Sequence, residues 1–86
     1  MSLSLEIVGR EGLVLRETGI DRIVVRRREA EHLPGSEVAI CPRHGRLLMQ
    51  TQACRMRLMN GTEVRRVDVG AGVLEVVDDS VTLVLS

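Results

Sequence analysis

The chain of 86 residues has no phenylalanine, tyrosine or tryptophan, and no lysine, so arginine supplies all 12 of its basic side chains. Without aromatic rings the core has to be filled by Val, Leu, Ile and Met. The platforms on which single-stranded nucleic acid stacks its bases are missing as well. A charge imbalance is also lacking. The 12 basic residues meet 12 acidic ones, which excludes the basic balance of an electrostatic nucleic-acid binder. No apolar run approaches the ~20 residues that cross a bilayer. The opening Met1-Ser2-Leu3-Ser4-Leu5-Glu6 has neither the cationic start nor the apolar stretch of a secretory signal. Cysteine is scarce, with 2 in the chain. Together these absences predict a cytosolic protein with both thiols reduced. The chain is 44% hydrophobic and 28% charged, which predicts a globular body over residues 1–86 as one domain. A chain this short buries only roughly 60–65% of its unfolded surface, so the core is small.

The pattern that is present has a period of two. Leu3, Leu5 and Ile7 alternate with Ser4, Glu6 and Val8, Leu13 and Leu15 flank Val14, and Ile23 and Val25 alternate with Val24 and Arg26. Met56 and Leu58 alternate with Arg55 and Arg57, Val67 and Val69 straddle Asp68, and Val81, Leu83 and Leu85 alternate with Thr82 and Val84. Short alternating runs predict half-buried strands, and their Val and Ile content agrees. Gly9-Arg10-Glu11-Gly12 predicts the first turn and Asp78-Asp79-Ser80 a later one. Asn60-Gly61 predicts a two-residue hairpin, because both central positions of a type I′ turn need positive φ. Gly70-Ala71-Gly72 interrupts a strand pattern. That predicts a bulge or close backbone approach, and a bend that lets the chain cross between sheets. No helix is expected beyond a single turn between Arg27 and His32, which Pro34-Gly35 would stop. Short strands joined by tight turns read as a β-sandwich or flattened barrel.

Few residues carry chemistry. His32, Cys41, His44 and Cys54 are the soft metal ligands, but only Cys41 and His44 form a close pair, where structural zinc sites show two. The expectation is no metal and no cofactor, with Cys54 buried on a strand face and Cys41 and His44 in a loop. His44 next to Cys41 lacks the setting of a nucleophile and its base, and there is no Gly-x-Ser-x-Gly elbow. No phosphate-cradling glycine motif is present either, since Gly70-Ala71-Gly72 has no following Lys-Ser/Thr. No catalytic activity is therefore expected. Arg26-Arg27-Arg28 is followed by Glu29 and Glu31. Compensated in this way, it reads as a solvated loop or a protein-docking patch, not a phosphate contact.

Three stretches, in order, resemble the epsilon subunit of F-type ATP synthases (the delta subunit of the mitochondrial enzyme). The first comprises Leu5-Glu6-Ile7-Val8, Gly12-Leu13-Val14-Leu15 and Ile20-Asp21-Arg22-Ile23-Val24-Val25. The second runs from Ser36 to Leu48 and is similar to the family's Gly-Glu-apolar-Gly-Ile-Leu-Pro-Gly-His-Ala-Pro-Leu-Leu segment. There Glu37, Ile40, Pro42, His44, Leu47 and Leu48 match, while Ala39, Arg43, Gly45 and Arg46 depart. Pro-Arg-His in place of Pro-Gly-His is similar to a variant in the sodium-linked branch of these synthases. The third comprises Asn60-Gly61-Thr62-Glu63, then Val69 to Val76, then Ser80-Val81-Thr82-Leu83. In it Val69, Gly72, Leu74, Glu75 and Val76 match, and Val73 stands at the family's aromatic position.

The resemblance implies an all-β, ten-stranded β-sandwich of two five-stranded sheets. It also implies a non-catalytic rotor subunit of the central stalk, which binds the gamma subunit along one side and the polar loops of the membrane c-ring on its lower face. Such a subunit couples ion flow to ATP synthesis and lies peripherally on the cytoplasmic side of the plasma membrane, held there through the complex. By family position Glu37, Arg43 and His44 are expected near the ring-facing loops, with Arg26, Arg27 and Arg28 joining them. His44 has a rival structural role, as a buried hydrogen-bonding residue that fixes its loop. The segment Arg26 to Gly35 is longer than the family's compact turn, which adds charge where the family approaches the ring. The family's C-terminal helical pair would begin where this sequence stops, so its inhibitory role is not expected of these residues. The alternative to a rotor subunit is a stand-alone β-sandwich interaction module, a paralogue that no longer joins a synthase.

Overall fold

The computed structural model describes residues 1–29 and 35–86. The described residues form nine strands: β1 (Leu3–Gly9), β2 (Gly12–Ile20), β3 (Arg22–Arg26), β4 (Glu37–Ile40), β5 (Leu47–Thr51), β6 (Cys54–Asn60), β7 (Glu63–Val69), β8 (Gly72–Val77) and β9 (Ser80–Leu85). A five-stranded sheet has the order β2-β1-β9-β8-β5 and a four-stranded sheet the order β4-β3-β6-β7. All neighbours pair antiparallel except β1 and β9, which run parallel.

The two sheets share one core. Leu3, Leu5 and Ile7 of β1, Leu74 and Val76 of β8, and Val81 and Leu83 of β9 come from the first sheet. Ile23, Val25, Ile40, Met56 and Leu58 come from the second. The alternation seen in the sequence is the burial pattern of these strands: β1, β8 and β9 each bury every second residue. Removing each of these branched side chains from water contributes about 1.5–3 kcal/mol. Aliphatic residues and methionine fill the interior without a ring.

The all-β expectation holds, and the strand count of ten does not. The longest described stretches outside strands explain the difference. Cys41–Arg46 contains Pro42, and both Arg43 (φ 65°) and Gly45 (φ 89°) are left-handed, which no strand accommodates. Past the end of β3, Arg27 makes only an isolated bridge to Thr51. Around it the Arg28 N–H donates to the Gln50 carbonyl (3.0 Å) and the Gln52 N–H to the Arg26 carbonyl (3.1 Å). This short crossing ties the four-stranded sheet to the edge of the five-stranded one instead of adding a strand. The same pairing shows that Arg27 and Arg28 do not start a helical turn. The rest of that expected turn, and most of the longer loop expected there, fall on residues 30–34, outside the described residues.

The turns follow local chemistry, with one shift of register. Asn60 pairs with Glu63, so the two loop residues are Gly61 and Thr62, not Asn60 and Gly61. Only the first of them has positive φ (Gly61, 61°), the Gly-X pattern of a type II′ turn. Between β8 and β9 the loop is Asp78–Asp79, both at positive φ (47° and 64°), which is the type I′ pattern. Gly70 and Ala71 carry the chain from β7 in one sheet to β8 in the other, the crossing expected of them. In β2 the pairing with β1 slips between Ile7 and Val8. That bulge sets Leu13 opposite Val8 and leaves it exposed, so Leu13 and Leu15 do not share a face as strict alternation predicts.

Candidate functional site

Strand direction divides the loops between two ends of the molecule. At one end lie Asp21, the Cys41–Arg46 loop, Gly61–Thr62, Asp78–Asp79 and the N-terminus. At the other lie Arg10–Glu11, the residues following Arg26, Gln52–Ala53, Gly70–Ala71 and Ser86. The residues expected to form one site fall into both groups. Arg26, Arg27, Arg28 and Glu37 come together at the second end, because β4 runs antiparallel to β3 and Glu37 enters it opposite Arg26. Strand β4 then carries the chain to the first end, where Arg43 and His44 stand apart from the other four. The six expected partner-contact residues therefore form two separate groups.

At the Arg43 end the turn Cys41-Pro42-Arg43-His44 is closed by the His44 N–H donating to the Cys41 carbonyl at 3.1 Å. Proline at the second position and a left-handed residue at the third are the chemistry of a type II turn. The Arg43 N–H donates to Asp79 Oδ1 at 2.7 Å, and its Nε to Met1 Sδ at 3.1 Å. Asp21 supports the neighbouring hairpin by accepting from the Gly61 N–H at 2.6 Å through Oδ2. His44 is exposed, so the expectation of a buried loop-fixing histidine is overturned: its backbone closes the turn.

At the Arg26 end the guanidinium of half-buried Arg26 donates to the Gly35 carbonyl at 2.6 Å. The Arg27 N–H donates to the Ser36 carbonyl at 2.8 Å, and Ser36 Oγ donates to Glu29 Oε1 at 2.7 Å. Glu37 forms an ion pair with Arg57 at 2.6 Å. Arg27 and Arg28 use their backbones in pairing and leave their side chains exposed. This end therefore offers two projecting guanidinium groups beside an internally paired Arg-Glu set.

The soft ligands do not converge. Cys41 and His44 lie at the first end, Cys54 opens β6 at the second, and His32 is outside the described residues. Among the described residues no three His, Cys, Asp or Glu side chains are grouped to hold a metal ion. Cys54 is half-buried, not buried as expected. A small cleft of about 140 Å³ opens where the edges of the two sheets approach, between Glu17 and Gly19 on β2 and Leu58 and Arg65 on β6 and β7. Its Glu17 carboxylate is occupied by an ion pair with Arg65.

One surface feature appears only when the strands are paired. On the outer face of the five-stranded sheet Val73 stands opposite Val84, Val84 opposite Val8, and Val8 opposite Leu13. These residues make an apolar row across β8, β9, β1 and β2. Val73, Val84 and Leu13 are 40%, 51% and 53% exposed, and adjacent Val14 is 63% exposed. The sequence signal was there: Val8, Val73 and Val84 occupy the outward positions of their strands, where polar residues belong. Among the described residues no helix is long and apolar enough to cross a membrane.

No family model matches the sequence, and no curated protein matches it. The fold is similar to that of a chain in the structure of the central stalk and c-ring of the Tetrahymena thermophila mitochondrial ATP synthase. The TM-score is 0.70 at 14% sequence identity, and the match covers 100% of this chain and 65% of that chain. At that identity the likeness is one of fold: an all-β, two-sheet body of a kind found in the ATP synthase central stalk and c-ring assembly.

Proposed function

We propose that the chain is a non-catalytic rotor subunit of an F-type ATP synthase, of the epsilon type, linking the gamma subunit to the c-ring and coupling ion translocation to ATP synthesis. The observation that carries this reading is the fold likeness to a stalk and c-ring chain over the whole of the present sequence. A part that transmits torque needs stiffness and grip instead of reactive groups. Stiffness comes from two sheets about 10 Å apart around one close-packed core. Grip requires a desolvated apolar patch, since rim charges contribute little. In this reading the row Val73–Val84–Val8–Leu13 rests against gamma.

The two separated groups then take different tasks. The Arg26–Arg28 end, with Glu37, faces the polar loops of the c-ring. The Arg43–His44 turn, at the opposite end, stands away from the ring. The protein is held at the cytoplasmic side of the plasma membrane through the complex.

Co-purification with gamma and the c-ring of the same organism tests the proposal. The complex should be retained, and Val84→Asp should release gamma while leaving the isolated protein folded. A folded wild-type chain that captures neither subunit would refute the rotor reading and leave the stand-alone interaction module.

A further inference from the structure

The outer face of the four-stranded sheet carries charge that the described residues do not neutralise. Ile23 and Val25 of β3 point into the core, so Arg22, Val24 and Arg26 point outward. The register sets Arg22 opposite Met59, Met59 opposite Val64, Val24 opposite Ala39 and Arg57, and Arg57 opposite Arg66. Arg55 and Asp68 face each other one row further along. The face thus presents five arginines, Arg22, Arg26, Arg55, Arg57 and Arg66, against two carboxylates, Glu37 and Asp68. Both carboxylates are already used, by Arg57 at 2.6 Å and Arg55 at 3.0 Å. Arg26 is turned to the Gly35 carbonyl. Arg22 and Arg66 have no carboxylate partner among the described residues.

Three further features bear on what would cover this face. Arg57 and Arg66 stand directly opposite, an arrangement that destabilises a sheet unless another anion joins it. Around the arginines lie exposed Ala39, half-buried Met59 and Val64, which is 42% exposed. Arginine and methionine set among small aliphatic groups, without lysine, is the composition of a protein interface. The chain as a whole is neutral, so it lacks the long-range field that draws a protein to a polyanion.

We propose that the outer face of the four-stranded sheet is a docking surface for a protein partner that presents at least two carboxylates, one for Arg22 and one for Arg66. The two arginines are separated by two strands and two residues, roughly 12 Å by strand geometry. A partner helix or sheet bearing Glu or Asp at that spacing would form charge-assisted, bidentate contacts with both and would cover Met59 and Val64 between them. The inference is independent of the rotor reading, because that reading gives no task to Arg22 or Arg66.

The test uses the full chain and a fluorescein-labelled poly-L-glutamate peptide, followed by anisotropy at low and high salt. Arg22→Gln with Arg66→Gln keeps side-chain length and removes both charges from exposed sites. Arg10→Gln, in the turn between β1 and β2, is the control. We expect binding that weakens with salt, a loss of about tenfold or more in the double variant and no loss in the control, with all three proteins giving the same melting temperature within a few degrees. A chain that ignores the peptide at low salt, or a control that loses as much as the double variant, overturns the proposal. So does preferential binding to phosphatidylglycerol vesicles that the double variant abolishes, which would make the face a lipid-headgroup surface. Sedimentation showing self-association that the double variant breaks would make it a contact between copies of the chain.

Discussion

Arg43 holds a conformation in which a side chain is a burden. Its φ of 65° is left-handed, where a Cβ crowds the following carbonyl at a cost of roughly 1–2 kcal/mol. The turn persists because its surroundings over-determine it. Pro42 presets the preceding residue, the His44 N–H closes the turn, and Asp79 accepts the Arg43 N–H at 2.7 Å. None of these contacts uses the arginine side chain, whose partner among the described residues is the Met1 sulfur in an exposed position. Arg43→Gly is therefore expected to stabilise the protein by about 0.5–1 kcal/mol after the greater freedom of the unfolded glycine is subtracted. The melting temperature should rise by several degrees. A drop in melting temperature would mean that the Arg43 side chain holds the turn through Met1. The epsilon-type pattern that this segment resembles carries glycine at this position, in agreement with the backbone requirement. Proline before and histidine after marked the turn in the sequence, but the left-handed φ at Arg43 did not show there.

Among the elements, the passage from β7 to β8 shows how a local signal becomes a tertiary constraint. Two glycines flank Ala71, and they do different jobs. Around Gly70 a Cβ would meet nothing within 4 Å. At Gly72 it would run into the Val84 carbonyl of β9, because Gly72 starts a strand lying between β5 and β9. The Gly72 carbonyl also accepts from the hydroxyl of buried Thr51 at 3.2 Å. Gly72→Ala must push two backbones apart and is expected to cost about 1–3 kcal/mol, read from urea unfolding midpoints. Gly70→Ala should leave the midpoint unchanged. Equal effects at the two positions would show that the close approach to β9 does not exist. The sequence offered Gly70-Ala71-Gly72 as one bend, and only the strand order separates the linker glycine from the packed one.

For the whole molecule, the pairing of the first strand with the last decides how the fold closes. β1 lies beside β9 in parallel, and β9 separates β1 from β8 at the centre of the five-stranded sheet. Val81 and Leu83 bring core side chains from the very end of the chain. A chain lacking residues 80–86 would lose a central strand and leave β1 and β8 with open edges. It is expected to show no cooperative unfolding transition and no dispersed amide spectrum. A folded truncation would mean that β1 and β8 can pair directly. Among the described residues the pairings β1·β9, β3·β6 and β5·β8 join strands far apart in the chain, so refolding should fall in the millisecond-to-second range of all-β domains.

Local patterning was enough to give the secondary structure class, the aliphatic core and most strand faces. Alternation reports a backbone geometry in which neighbouring side chains point apart, and that geometry is set residue by residue. It marked β1, β2, β3, β6, β7 and β9 directly. The short runs of β4, β5 and β8 entered through the family resemblance. Which strands became neighbours depended on how the sheets pack together. That choice sent Arg43 and His44 to the end opposite Arg26, Arg27, Arg28 and Glu37. It also lined up Val73, Val84, Val8 and Leu13 across four strands and set Arg57 against Arg66. The physical reason is that register is chosen by burying a common core between residues far apart in the chain, and no local pattern carries that information.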